Sequence, residues 1–438
     1  LNNNSRPKYS YITEIGSEEN VSLKNNKNLN SNNFTLLNSN IYGKESSLGF
    51  SPALVTIAKD NTYANIHVTK DSTICIIQWV TTGSPAFKAG LKRGDVVYRI
   101  NNKEYVDWTN YDTEELVSAI TGPSIKLTIR DGVNGNHLKD LEIHKDTYDI
   151  NPIFKDTILN FNGKKIAYLA LQTFSYNVDS FLNITFTNKF QNATDLIVDL
   201  RYNGGGYVEM AEYLDNLIAP LSTDNKIMYT TYFNQNFINK SAPLLKNIPL
   251  DYDFPNNGTW FDLNYLPSSD NPQMTHRFNK SIAKGGLTSL SKIIFIVSSE
   301  TASASELCIN NLKPYMDVHL VGAALGNKGD RTFGKPVGFF EIRIGKYRMW
   351  MPNFETKNAN NEGEYFQGMK TEKQALDDLS KNFGNPAEQC LATALNELIK
   401  SESLNSSVAK NPILKSRNFV TPNRTNKMIL KPNIKRRF

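Results

Sequence analysis

A serine placed directly after an apolar, β-branched run is positioned for nucleophilic chemistry. Residues 293–297 (Ile-Ile-Phe-Ile-Val) lead into Ser298-Ser299-Glu300-Thr301-Ala302-Ser303-Ala304-Ser305-Glu306, an order that predicts strand, turn and helix. Ser303 then projects from a tight turn, with its backbone amide at the positive end of a helix. Such a turn exposes a nucleophile and supplies oxyanion-stabilising amides from one piece of backbone. A helix N-cap is the ordinary role of serine at that place, and the segment alone does not choose between the two. Two other turns carry matching chemistry. In Asp199-Leu200-Arg201-Tyr202-Asn203-Gly204-Gly205-Gly206 three consecutive glycines leave backbone N–H groups unhindered, as a phosphate or oxyanion site requires, although glycine runs also serve plain loops. In Thr332-Phe333-Gly334-Lys335-Pro336-Val337-Gly338 a lysine stands between glycine and proline in apolar surroundings. A desolvated lysine there would hold its charge less firmly and could accept a proton; a surface lysine in a glycine turn is the plain alternative.

The elements that must position these turns follow an α/β rhythm from residue 164 to about 400. Residues 166–171 and 196–200 read as buried strands, 178–190 and 210–218 as helices, and 292–297 and 318–322 as further strands. Residues 221–285, with Trp260 and several Pro and Asn, read as an insertion of loops and short strands over a cleft. Residues 350–356 and 363–369 read as a strand and a loop that either line a groove or pack in the core. Upstream, residues 48–141 alternate as short β segments: 74–80, 96–100 and 125–130 as strands, with a helix over 113–120 capped by Thr113. Residues 1–46 are rich in Asn, Ser and Lys, with a short ordered piece near residues 9–12.

Residues 83–97, Gly-Ser-Pro-Ala-Phe-Lys-Ala-Gly-Leu-Lys-Arg-Gly-Asp-Val-Val, resemble the PDZ signature, a short helix followed by a Leu-x-x-Gly-Asp turn into a strand. Ser84 and Pro85 suit the helix start, and Gly90 its end. In PDZ domains an extended peptide adds as a strand and its carboxylate rests on a backbone nest. The resemblance places that nest at Leu48, Gly49 and Phe50; a β domain that only spaces its neighbours is the alternative.

In this order, the PDZ block, the Asp-Leu-Arg-x-Asn-x-Gly-Gly turn, the Ala-Ser-Ala-Ser-Glu elbow and the Thr-x-Gly-Lys turn resemble the S41 family of C-terminal processing peptidases. The likeness covers about residues 47–395. It implies a ClpP/crotonase-like α/β serine protease core beside a β-rich PDZ domain, with a reduced N-terminal segment. The expected division is 1–46 irregular, 47–148 PDZ-like, 149–400 peptidase core with the 221–285 insertion, and 401–438 a basic tail. The resemblance makes Ser303 the nucleophile, Lys335 the base, and the amides of Ala304 and of Gly205 or Gly206 the oxyanion hole. Glu306 is read as stabilising the helix start. Phe339 stands where many members have a glutamine that orients the lysine, and Pro314 where some have an acidic residue, with Asp317 close but shifted. A longer loop brings Lys328 to where shorter-looped relatives hold their lysine; Lys335 is favoured, because Phe333 and Gly334 flank it in the family manner. The expected substrates are proteins or peptides engaged through C-terminal segments. A catalytically degenerate peptide-binding scaffold is the alternative, and an acyl-CoA enzyme of the same superfold a weaker one.

Composition narrows the classes. At 438 residues the chain can hold two or three cores. The net charge of +6 gives no reason to expect a nucleic-acid partner. The basic excess gathers after Lys410, in Lys415, Arg417, Arg424, Lys427, Lys431, Lys435, Arg436 and Arg437, and reads as a solvated terminus. Cys75, Cys308 and Cys390 sit in apolar contexts and read as small buried hydrophobes. His67, His137, His144, His276 and His319 show no ligand spacing, so neither metal nor cofactor is expected. No apolar run is long enough to span a membrane. The chain starts at Leu1 without a signal-like stretch, so a mature form is expected. Its Asn-, Tyr- and Lys-rich composition resembles Bacteroidetes-type members, which implies a periplasmic or envelope location, with lipid anchoring upstream as an expectation.

Overall fold

The computed structural model of the protein describes residues 10–14, 43–105, 107–108, 110–131, 137–252, 255–324, 329–399, 414–415 and 427–429. Two cores dominate them. The C-terminal one is built on a six-stranded sheet in the order Ile153–Phe161, Lys164–Leu171, Asp195–Asp199, Lys292–Val297, Asp317–Ala324, Lys373–Leu376. The first pair is antiparallel and the rest parallel. Parallel strands buried on both faces read as continuous apolar runs, which is why the Lys292–Val297 and Asp195–Asp199 strands stand out in the sequence.

Helices cover both faces of this sheet. Val178–Asn188, Val208–Ile218 and Ala304–Leu312 pack on one side in a single large core. In the first of them Val178, Leu182, Thr185 and Phe186 are buried, the spacing of one apolar stripe. On the other side Gln389–Ile399 places Cys390, Leu391, Ala394, Leu395 and Leu398 against Tyr168, Ile197, Ile294 and Ile296.

The N-terminal core is an antiparallel sheet in the order Leu138–His144, Ser124–Arg130, Val96–Ile100, Ser72–Val80, Phe50–Ile57. The short helix Pro85–Lys88 begins with Ser84, whose Oγ accepts from the Phe87 amide at 3.2 Å, and with proline at its first position. The longer helix spans Asn110–Thr121. It starts before the expected cap, so Thr113 lies inside it.

The insertion 221–285 holds short strands and loops, as expected. Its strand Ile227–Phe233 pairs with both Thr275–Arg277 and Phe354–Asn358, and the latter pairs in turn with Val337–Gly338. Trp260 is stacked on Phe340, with ring centroids 3.8 Å apart, and belongs to the main core. The insertion is therefore packed beneath the segment that carries Lys335. A single strand expected over 350–356 is two, Tyr347–Trp350 and Phe354–Asn358, with Pro352 in the break. The ordered piece near residue 9 is the strand Tyr11–Glu14, paired with Tyr347–Trp350.

Candidate active site

Ser303 follows the Lys292–Val297 strand and immediately precedes the helix Ala304–Leu312, called the elbow helix below. Its backbone sits at φ +65°, ψ −116°, a conformation that costs a non-glycine residue about 1–3 kcal/mol. An N-cap serine has ordinary extended backbone and gives its oxygen to the first turn. Here Ser303 Oγ is buried and has no hydrogen-bond partner among the described residues. The capping role is thus not the one its side chain performs. The partnerless Oγ also means that no described histidine bonds it; His319 is engaged by Asp317 and Glu372, and His276 by Glu212.

Glu306, one turn into the elbow helix, organises the surroundings. Its Oε2 accepts from the Ser303 amide at 2.9 Å and from the Lys335 amide at 2.8 Å. Its Oε1 accepts from the Gly334 amide at 2.7 Å and from the Thr332 hydroxyl. One buried carboxylate therefore joins the backbone of the serine to that of the lysine. Burial pushes the Glu306 pKa up, against the pull of these donors. A further bond, Phe333 N–H to the Thr301 carbonyl at 2.9 Å, fastens the two turns. Gly334 has φ +89°, and a Cβ there would come within 2.5 Å of backbone atoms of Phe366 and Gly368, so the lysine turn needs glycine.

Lys335 itself is 2% exposed. Its Nζ lies 4.3 Å from the centroid of the Phe339 ring. The position where glutamine was anticipated thus presents an aromatic face to the lysine instead. Lys328, the alternative base, lies outside the described residues.

The glycine turn closes the third side. Asn203 offers its carbonyl to the Ala302 amide at 3.2 Å and the Ser305 hydroxyl at 3.0 Å, which seats the turn on the elbow. Asn203 Oδ1 accepts the Gly205 amide at 2.9 Å. That amide is consequently spent inside the turn, and of the two anticipated glycine donors Gly206 remains. The Gly205–Tyr207 strand bonds Phe174 through the Gly205 carbonyl and the Tyr207 amide. Groups alternate sides along a strand, so the Gly206 amide faces the opposite edge. Ala304 opens the elbow helix, where an amide has no intrahelical acceptor.

A buried polar network behind the turn was missed by sequence reasoning. Arg201 bonds Asp199, Asp377 and Glu388, and Tyr168 donates to Asp199 at 2.7 Å. Arg93 reaches the same Asp377 at 2.7 Å, the Tyr202 hydroxyl at 2.8 Å and the Lys381 carbonyl at 2.9 Å. Burial pushes the Asp377 carboxyl up, but Arg93 and Arg201 more than offset this and hold it below the usual range. Arg93 lies inside the Leu-x-x-Gly-Asp motif, and charge within a buried turn was the available signal; Asp377 and Glu388 gave none.

At the peptide-binding candidate, Gly49 has φ +85°, and a Cβ would fall 2.0 Å from Ser84 Cβ. The Leu48 carbonyl accepts from Ala86, and the Gly49 carbonyl from Thr81 and Ser84. Leu48 and Phe50 bury their side chains in the domain core, so only backbone is left there for a ligand. All three cysteines are buried and unbridged. No described cluster of His, Cys, Asp or Glu is arranged to hold a metal.

Residues 165–359 match the family model for peptidase family S41, and residues 76–131 that for a PDZ domain. The chain carries a peptidase family S41 domain. Among curated proteins, the chain is 29% identical over 175 residues to carboxyl-terminal-processing peptidase 2 of Arabidopsis thaliana chloroplasts, covering 37% of this chain and 33% of that protein. It is 28% identical over 166 residues to the carboxy-terminal processing protease CtpA of Bacillus subtilis, covering 38% and 34%. The chain matches about a third of the length of these curated relatives. Among solved structures, an S41 protease from Bacteroides fragilis superposes with a TM-score of 0.61 at 21% identity, covering 89% of this chain and 85% of that one. The S41 core and its PDZ domain are therefore the α/β and β-rich bodies described above.

Proposed function

We propose that this S41 chain is a serine endopeptidase that uses Ser303 as nucleophile and Lys335 as general base, and cleaves proteins near C-termini or in unfolded segments. The observation that carries the reading is Glu306, whose one carboxylate holds the amides of both Ser303 and Lys335 beside a buried, unpartnered Oγ. Neutral Lys335 takes the Ser303 proton, Oγ adds to the scissile carbonyl, and the amine leaves with a proton returned by the lysine. The acyl-enzyme is then hydrolysed by a water that the same lysine deprotonates. Developing negative charge falls on the Ala304 and Gly206 amides, each such donor contributing about 3 kcal/mol to the transition state. The PDZ domain holds the substrate's terminal carboxylate at the Gly49 turn. A periplasmic or envelope location belongs to the same reading and is supported by the likeness in composition to exported family members; no helix among the described residues is long and apolar enough to cross a membrane.

The test is fluorophosphonate labelling and casein cleavage by the wild type, Ser303→Ala, Lys335→Ala and Lys328→Ala. Labelling and cleavage lost with the serine and with Lys335, but retained with Lys328, are expected. Cleavage that persists in Ser303→Ala removes the assigned nucleophile. The replacement of glutamine by Phe339 favours the second reading, a peptide-binding scaffold, and a folded wild type that neither labels nor cleaves, with or without hydrophobic C-terminal peptides, would establish it.

A further inference from the structure

Two edges that a substrate would use are already paired with this chain's own downstream sequence. Leu414–Lys415 adds antiparallel to the outer edge of Phe50–Ile57, with Leu414 opposite Ile57 and Lys415 opposite Thr56. This is the strand that leaves the Gly49 turn, and the added residues run toward that turn, the polarity of a PDZ ligand. Lys427–Ile429 adds parallel to Gly205–Tyr207, with Met428 opposite Gly206. The Gly206 amide faces this edge, because the other edge is taken by Phe174. The same short strand lies against the elbow helix and against Val337–Gly338, just beyond Lys335. It is therefore bordered by all three turns of the candidate site.

From this placement we infer that Leu414–Lys415 and Lys427–Ile429 are a built-in competitor, held across the PDZ edge and the glycine strand, which a protein substrate must displace. The inference rests on the peptidase reading above and names the kind of chain the site takes: extended, bound by main-chain pairing, and basic. Charge agrees. Residues 410–438 carry nine basic and no acidic side chains, which leaves the preceding 409 residues at −3 in a chain of +6. A basic segment on an acidic body is held partly by long-range attraction, which salt weakens. Only eleven residues separate the two paired pieces, so once one is docked the other binds intramolecularly at high effective concentration.

The test uses the full chain with Ile429→Pro, Lys415→Pro or both, since these amides face Gly206 and Thr56 and proline removes the donor that each pairing uses. Hydrolysis of a fluorogenic peptide and anisotropy of a labelled hydrophobic C-terminal peptide are read at low and at 0.5 M salt, the anisotropy also in a Ser303→Ala background. Ile429→Pro is expected to raise kcat/KM about fivefold, chiefly through KM, and Lys415→Pro to tighten the labelled peptide by about the same factor, ~1 kcal/mol each. High salt should narrow both differences, and a synthetic peptide of residues 410–438 should restore inhibition of the double variant competitively. Variants that match wild type in hydrolysis and anisotropy overturn the inference. So does cleavage of the wild-type chain between residues 414 and 429 seen by mass spectrometry, since a segment that is cut is a substrate and not a competitor. If no form hydrolyses peptide or takes the fluorophosphonate, the peptidase reading fails, and the anisotropy comparison alone decides whether the segment blocks the PDZ edge.

Discussion

Glu306 accepts four hydrogen bonds from two separate turns, and a carboxylate is the only side chain of its size that can accept at both oxygens. Glu306→Gln preserves volume but turns one acceptor into a donor, which then faces an N–H. The expected result is a fall in kcat of at least about tenfold with little change in KM, since an unsatisfied buried donor costs about 1–3 kcal/mol. A lower melting temperature with unchanged kcat would reduce Glu306 to a folding role. The ring of Phe339 is a finer matter. A cation over an aromatic face gains about 0.5–2 kcal/mol, and at 4.3 Å this contact restrains Lys335. Phe339→Leu keeps the apolar filling and removes the face, so kcat should drop about fivefold, while Phe339→Gln, the residue many S41 members carry there, should recover part of it. Equal losses in both variants would mean that ring packing against Trp350, and not the lysine contact, sets the effect.

Elements were legible where burial on two faces or a capping residue wrote a local signal. The Lys292–Val297 strand is apolar at every position but the first, and Ser84 with Pro85 announces a helix start. Within the insertion the place of the strand was not legible, because Ile227–Phe233 owes it to partners at 275–277 and 354–358 that no local pattern names. The site was legible to the same extent: Ser303, Lys335 and the glycines lie in motifs, whereas the spending of the Gly205 amide on Asn203 depends on side-chain geometry. At this scale the turn into the third strand of the PDZ sheet has a measurable pH signature. Asp95, which accepts from the Lys92 amide at 2.8 Å, is pushed up to about 6 by burial. A carboxyl whose folded pKa lies above its unfolded value of about 3.9 stabilises the fold most below that value, and this contribution is lost as pH rises through about 6. Asp95→Asn keeps the acceptor and removes the charge. Its urea midpoint should equal that of the wild type near pH 4 and exceed it above pH 7, by up to ~3 kcal/mol in free energy. Parallel curves across that range would exclude the assignment.

Among the described residues the two cores meet at a buried guanidinium. Arg93 leaves the PDZ signature turn, stacks 4.7 Å from the Phe383 ring and meets Asp377, which also binds Arg201 of the glycine turn. Gln172 adds a bond to Thr81 at 2.9 Å. A change of PDZ position is therefore opposed by buried charge, and the same charge anchors the turn that presents Gly206. Arg93→Ala takes from Asp377 one of its two arginines and from the Tyr202 hydroxyl a donor. Arg201 still meets Asp377, so the cost should fall at or below the level of about 3–5 kcal/mol for a broken buried pair. Asp377→Ala takes a carboxylate from both arginines at once and should cost at least as much, although Arg201 keeps Asp199 and Glu388. If the two residues act through each other, the double variant loses less than the sum by about 1–3 kcal/mol, and urea unfolding of the four proteins measures that coupling directly. The same cycle run on kcat/KM separates anchoring from mere cohesion. A link that positions the glycine turn lowers kcat in both single variants under conditions where each remains fully folded, with no further loss in the double. Free energies that add, together with turnover unchanged in the folded variants, would mean that Arg93 joins the cores without governing the site.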